Sequence, residues 1–431
     1  MVTSFCSEME RKEDAGSRRK AEGKSMSFKR YLAGMAAALM VGSCAYAEAD
    51  TEAVTEAAAQ TETVTEAAVS TQAGAGAAAT LSDKWSDFQI QIDGEIYQFP
   101  MMYEDWKAYG WTEKDPGDEL EPNQYQMMYF EKDGVTCMVF VLNLGISNRA
   151  AEDCIVAGME LDHFDWESNI GEVLLPGGLV RGTSTLEDIE AAYGQPSDSY
   201  EGDLYYDYTY ETDYNSSVEL YVYKESGVLE DVEVRNFVEP EGFDAGEVNE
   251  EVPAEILAYE KPEALGEDLT AFEIELVGQT YTLPVPVQTL LDDGWEINPS
   301  DTEEFVKGNS SGWVGLIHEG QSFRTLAYNN ASYATLPENC WIEELEIGGY
   351  GLELEGALPG GIRTGITEEE FLGILDAAGM AYTVEESGDF KYYTYNEKEY
   401  DQCCEATVYT ASDGSFQQNT VIEVACRNAF D

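Results

Sequence analysis

Residues Leu175–Gly194 read LPGGLVRGTSTLEDIEAAYG, and residues Leu358–Gly379 read LPGGIRTGITEEEFLGILDAAG. In each, a hydroxyl residue is followed three positions later by glutamate, Ser184 to Glu187 and Thr367 to Glu370. That spacing predicts a capping box, in which hydroxyl and carboxylate satisfy two backbone N–H groups that a helix start leaves open. Leu186, Ile189 and Tyr193 then recur at helical spacing, and Gly194 or Gly379 closes the helix. The paired glycines before the cap allow a sharp turn or a close backbone approach. A phosphate-cradling loop would place a lysine beside them, whereas only Arg181 or Arg363 is near. The motif is therefore an instruction to start a helix, written twice.

The duplication extends well beyond that motif. Gly94–Pro100 (GEIYQFP) matches Gly278–Pro284 (GQTYTLP), and Gly110-Trp111 matches Gly294-Trp295, both at an offset of 184. Cys154 falls against Cys340, and Tyr205-Tyr206-Asp207-Tyr208 against Tyr392-Tyr393-Thr394-Tyr395. Val-x-x-Arg-Asn recurs at Val232–Asn236 and Val424–Asn428. Matching motifs in the same order predict two homologous domains, residues 85–238 and 271–431, separated by an acidic, proline-bearing linker over 239–270.

Within a copy, period-two alternation predicts a hairpin from Phe88 to Phe99 that turns at Asp93-Gly94. Pro100 is expected to open a short helix that Gly110 ends. Strands Tyr125–Phe130 and Val135–Leu142 follow, turning at Asp133-Gly134, then a strand that carries Cys154. The expected fold class is α+β: two tandem homologous domains, each an antiparallel sheet with two short helices, after a signal peptide and a disordered linker.

The order of glycines, hydroxyl cap, acidic helix and Tyr193-Gly194-Gln195-Pro196, followed by an aromatic meander, resembles a small α/β domain. It is the domain of β-lactamase inhibitor proteins and of small outer-membrane assembly lipoproteins. The resemblance covers Leu175–Asn236 and Leu358–Asn428 and implies a protein-binding module without catalysis. The N-terminal half of each copy departs from that family, and no binding residue transfers from it.

The chain has 431 residues, with 85 acidic against 23 basic and a formal net charge of −62. Eight of the basic residues precede Tyr31. Phosphate backbones are recognised by clustered lysine and arginine, so this charge excludes a nucleic-acid partner. Residues 1–47 read as a leader and signal peptide: Lys29-Arg30, an apolar run from Tyr31 to Val41, then small residues. Met26 is a second candidate start. Val41-Gly42-Ser43-Cys44 resembles a lipobox, which would put a lipid on Cys44, while Ala45-Tyr46-Ala47 fits cleavage with release. Residues 48–84 carry the decapeptide repeat TEAVTEAAAQ–TETVTEAAVS, too poor in large apolar groups to bury a core, and read as a disordered spacer. The expected location is extracellular or at the cell surface, with the membrane touched only through such an anchor.

No catalytic constellation emerges. Gly308-Asn309-Ser310-Ser311-Gly312 matches a nucleophile elbow in form, but a strand follows it and the later histidine, His318, lies too close; it reads as a polar hairpin turn. His163 and His318 stand at non-equivalent places in the two copies. The cysteines lack zinc-site spacing, so neither metal nor cofactor is expected. In an oxidising setting Cys404 or Cys403 with Cys426, and Cys137 with Cys154, are candidate disulfide pairs, buried thiols being the alternative. The aromatic stripe is the functional lead: Tyr206, Tyr208 and Tyr210 share one strand face, and Tyr393 and Tyr395 repeat it. The expected function is non-catalytic binding of a protein or cell-wall polymer through aromatic sheet faces. The alternative is an inhibitor or solute-binding lipoprotein that clamps a ligand between its domains, with Trp111 and Trp295 in the cleft.

Overall fold

The computed structural model describes residues 80–162, 171–349, 354–399, 402–412 and 414–430. The leader, Cys44, most of the spacer and His163 lie outside these. Among the described residues strands take 45% and helical segments 15%, the latter as five α-helices and short 3-10 turns. The α+β expectation, with one sheet and two short helices per domain, is thus corrected: the fold is mostly β, built from several antiparallel sheets. The helix signals were sharp but short, spanning α1 (Tyr103–Ala108), α2 (Leu186–Tyr193), α3 (Ala254–Leu257), α4 (Val287–Asp292) and α5 (Glu368–Ala378). Period-two alternation governs most of the remainder.

In the first repeat, Gln89–Ile92 pairs with Glu95–Gln98 and with Val173–Leu175, which carries Leu179–Val180. The large sheet starts at Asp198–Glu201. It continues through Tyr205–Asp213, Ser216–Tyr223, Leu229–Asn236, Ile155–Leu161, Val135–Leu142 and Tyr125–Lys132 to Thr112–Glu113. The principal strands of the second repeat follow in the same chain order, yet its large sheet is split. Glu344–Gly348, Thr420–Asn428, Gln402–Tyr409, Phe390–Glu399 and Tyr382–Ser387 form one piece, and Val285–Pro286, Trp341–Ile342, Gln321–Asn329, Ser310–His318 and Glu296–Ile297 the other. The cause is local. Strand Ile155–Leu161 slips register between its pairs Phe140–Gly158 and Val141–Val156, leaving Ala157 as a bulge. The residue in that place in the second repeat is Glu343, where the strand divides.

Two large apolar cores result, one drawn from Phe88 to Val234 and the other from Leu269 to Cys426, with a small third cluster at Leu142, Ile155 and Ala157. The hairpins at Asp93-Gly94, Asp133-Gly134, Val277-Gly278 and Glu319-Gly320 have positive φ at both turn residues, the twist that joins antiparallel strands tightly. Pro100 does not open a helix. Phe99-Pro100 is cis, as is Leu283-Pro284, and α1 starts at Tyr103 after the short strand Met101–Met102. The last residue of each Val-x-x-Arg-Asn motif anchors this loop. The side-chain amide of Asn236 donates to the Phe99 carbonyl (2.9 Å) and that of Asn428 to the Leu283 carbonyl (2.6 Å).

The first capping box lies one residue later than the spacing suggested. Thr185 caps α2 with Asp188 as its partner, and the Ser184 hydroxyl instead accepts from the Val180 N–H at 2.9 Å. Thr367 and Glu370 close the box on α5. In each LPGG both glycines have positive φ. A side chain on the first would meet the following helix: a Cβ on Gly177 would lie 3.2 Å from Ala192, and one on Gly360 3.0 Å from Ile374 and from Leu269. A Cβ on Gly361 meets nothing within 4 Å. Gly361→Ala is expected to cost about 1 kcal/mol from backbone strain alone, and Gly360→Ala about 2–3 kcal/mol once overpacking is added. Equal losses in urea-midpoint measurements would remove the packing role of the first glycine.

The segment over 239–270 is bound along its length. Asn249 bridges Thr335: its N–H donates to the Ala334 carbonyl and its carbonyl accepts from the Thr335 hydroxyl, both at 2.8 Å. Tyr259 both accepts from the Thr282 N–H and donates to its carbonyl (2.9 Å each). The Arg149 guanidinium donates to the Asp244 carbonyl at 2.5 Å and lies 5.1 Å from the centre of the Phe243 ring. The repeats also touch directly. Gly308 N–H donates to the Ile146 carbonyl (2.9 Å), Asn148 N–H to the Ser332 carbonyl (2.7 Å), and Ala334 N–H to the Ser147 hydroxyl (2.9 Å). Gly308–Gly312 is therefore no hairpin turn. Gly308 lies so close to the Ser332 carbonyl that a Cβ there would stand 2.6 Å from it, and Ser310 begins a strand.

Candidate interaction surface

The tyrosine strand of the first repeat runs beneath α2, and its hydroxyls are used to hold that helix. Tyr210 is 1% exposed; its hydroxyl donates to the Gly194 carbonyl at 3.0 Å, and its ring meets Tyr193 edge-on. Tyr208 is half-buried and donates to Glu190 at 2.8 Å. In the second repeat Tyr393 donates to Glu368 of α5, and Phe371 packs edge-on against both Tyr393 and Tyr395. Both tyrosines are buried. Strand register also changes the correspondence between the copies. Tyr208 pairs with Leu220 and Tyr393 with Ala406, so Tyr208 corresponds to Tyr393 and Tyr210 to Tyr395, two residues away from the alignment read in the sequence.

Trp111 and Trp295 are each 2% exposed and belong to separate cores. Trp111 stacks on Trp106 with ring centres 4.9 Å apart. Trp295 packs edge-on against Phe323 and tilted over His318, whose Nδ1 lies 2.9 Å from the Gly294 carbonyl. Neither can line a cleft between the repeats. Of the tyrosines and tryptophans singled out in the sequence, Tyr206 and Tyr208 keep partial exposure, and Tyr206 borders a depression. The Lys224 ammonium sits 4.7 Å above its ring, at an open depression of about 410 Å³ that Leu186, Glu187 and Tyr223 also border. A second depression of about 570 Å³ opens at Asp87, Phe88, Pro100, Glu239 and Glu241.

All six described cysteines are thiols. Cys404 and Cys426 face each other across adjacent strands with sulfurs 3.5 Å apart, while Cys403 faces Arg427. Cys137 and Cys154 are placed apart. Leu142 pairs with Ile155, so Cys154 adjoins the end of Val135–Leu142 that is remote from Cys137. Among the described residues, no group of three or more His, Cys, Asp or Glu is placed to hold a metal ion, and no helix is long and apolar enough to cross a membrane.

The opposite face of each large sheet is acidic. In the first repeat Glu219, Glu233 and Glu160 form one cross-strand row, beside Tyr221, which donates to Glu219 at 2.9 Å, and Tyr223, which donates to Asp231 at 2.7 Å. Burial pushes the Glu233 carboxyl up to about 7, although the Arg235 guanidinium 2.5 Å away pulls it down. In the second repeat Glu405, Ala425 and Glu346 occupy the matching row, beside Glu423. Burial, with Glu423, Glu344 and Glu405 near, raises Glu346 to about 7. Arg427 binds Glu344 through Nε (3.2 Å) and Nη2 (2.9 Å). These arginines are the fourth residues of Val-x-x-Arg-Asn. The alternation in Ser216–Tyr223 (SSVELYVY) already separates Glu219, Tyr221 and Tyr223 from Val218, Leu220 and Val222. That signal could have located the outer face.

Each large sheet ends in an exposed strand that follows the capped helix. Asp198–Glu201 and Tyr382–Ser387 are exposed at every residue. Both are outermost in their sheets and both carry carboxylates. Sequence reading passed over them, because a strand's place at an edge depends on which strands pair with it. Comparison with protein-family models, with curated proteins and with solved structures returned no match.

Proposed function

We propose that this chain is an exported, non-catalytic binding protein that recognises a partner protein through the exposed rims of its two large sheets. One observation carries the reading: both repeats place a fully exposed, carboxylate-bearing strand, the one that follows the capped helix in the chain, at the same outermost position. An unpaired strand edge is a template for another chain, and acidic residues there select a cationic one. The apolar run after Lys29-Arg30 supports export. The resemblance of Leu175–Asn236 and Leu358–Asn428 to β-lactamase inhibitor proteins supports a protein partner. Of the tyrosines first suggested as recognition surfaces, Tyr210, Tyr393 and Tyr395 serve the core instead.

The test is retention on immobilised full-length protein from envelope and extracellular fractions at 50 and 500 mM salt. A saturable partner that is lost at high salt is expected, since screening shortens electrostatic attraction to a few ångströms. Absence of any retained species, or substrate turnover traced to one of the carboxylates, would refute the reading.

A further inference from the structure

We infer that the edge strand Tyr382–Ser387 receives an extended basic segment of the partner by β-strand addition. This rests on the binding reading and specifies its mode and chemistry. The strand pairs with Phe390–Tyr395 over six consecutive residue pairs without a bulge, and no described strand lies on its other flank. Its outer N–H and C=O groups therefore face away from the sheet over about 20 Å at strand rise. Natural edges are blunted by charged side chains, lysine above all, and by proline, a bulge or extreme shortness. The stretch YTVEES is six residues long without lysine, proline or bulge, and its charges are two glutamates, which repel an acidic strand and admit a basic one.

The side chains offer alternate contacts to an added strand. Tyr382 and Val384 lie on one face, 40% and 49% exposed, and extend the row of Tyr395 and Tyr393 beyond the cover of α5. Tyr382 meets Tyr393 edge-on, with ring centres 5.6 Å apart, which holds it at the rim. Glu386 shares that face, and Glu385 lies on the other with Thr383 and Ser387. The neighbouring cation, Lys391, stands opposite Glu386 and is bound to Glu368 of α5 at 2.7 Å. In the first repeat, by contrast, Lys224 binds Glu201 at 2.7 Å on a strand of only four residues. Charge selects the occupant. A second copy would bring the same carboxylates together on chains of net charge −62, whereas a segment alternating lysine and an apolar residue lays its apolar groups against Tyr382 and Val384 on one face and its lysines beside Glu385 on the other.

The experiment uses the full chain and two synthetic hexapeptides, Lys-Val-Lys-Val-Lys-Val and Glu-Val-Glu-Val-Glu-Val. The basic peptide is expected to bind, the acidic one not, and hydrogen exchange to slow at the amides of 382–387. The double variant Val384→Lys/Glu386→Lys, at two exposed positions, should weaken binding at least tenfold with an unchanged circular-dichroism spectrum. Tyr382→Ser should weaken it severalfold without changing charge. Exchange protection elsewhere, equal binding of both peptides, unaltered binding by both variants, or dimers in gel filtration that vanish in the double variant would each overturn the inference. If the double variant still retains the envelope partner, the edge assignment fails while the binding reading stands. If the native chain retains none, the binding reading fails independently of the peptide result.

Discussion

Replacing Trp106 by alanine is expected to destabilise the first repeat by about 3–5 kcal/mol, as for other buried aromatic truncations. The indole is fully buried, stacks face to face on Trp111, and lies edge-on to Phe130 at 6.0 Å and tilted against Tyr97 at 5.1 Å. No collapse of α1, only six residues long, could refill that volume. The second repeat places Leu290 at the matching position, also fully buried, so its core has no equivalent stack. Because the two apolar cores are separate clusters, the first repeat should unfold at lower denaturant than the second in the variant. A biphasic guanidinium curve is the expected readout, with exchange protection lost first between Phe88 and Val234. A single transition displaced by less than 1 kcal/mol would contradict this account of the core.

The second large effect concerns pH. Glu233 and Glu346 are raised to about 7, chiefly by burial, so in the folded chain they keep their protons where unfolded carboxyls have lost them. A group raised in this way favours the folded state below its unfolded value and loses that contribution as pH climbs through the folded value. The window runs from about pH 4.5 to about pH 7. Each carboxyl should remove about 1–3 kcal/mol across it, since a tenfold change in proton affinity is worth about 1.4 kcal/mol and local relaxation returns part of the loss. Glu95, held low by its hydrogen bond from Lys132, and Glu370, held low by the backbone N–H of Thr367, act in the opposite sense. Their contribution is present above the ordinary carboxylate range and lost as pH falls through it. Stability should therefore peak near pH 5, where the two trends cross. Repulsion among the many other carboxylates steepens the fall on the alkaline side. Glu233→Gln/Glu346→Gln should flatten the decline in thermal midpoint between pH 5 and pH 7.5. A native midpoint constant over that range, or a double variant with an unchanged slope, would show that these rows are not desolvated.

What was legible in the chain was what neighbours in sequence decide. The hairpin at Asp93-Gly94 follows from backbone preference over a few residues. So does the cap on α5, where Thr367 and Glu370 are three apart. Cap placement on α2 missed by one residue, since Ser184 and Thr185 both offer a hydroxyl and the choice turned on the Val180 N–H that Ser184 accepts. That Pro100 opens no helix is invisible locally, because the Asn236 amide that anchors its loop stands 137 residues from Phe99. Helices stand out in the sequence for a related reason: capping motifs announce themselves, whereas short strands do not.

By itself, then, the sequence determined that the chain is doubled, acidic, punctuated by tight turns, and furnished with helix starts after each LPGG. Those properties are covalent or local, and no partner element is needed to express them. Tertiary structure alone decided that Tyr210, Tyr393 and Tyr395 lie under helices, that Glu233 and Glu346 are desolvated, and that Tyr382–Ser387 lies at a rim. A strand has two faces and two flanks, identical in its own residues until other strands and helices cover one and leave the other to solvent.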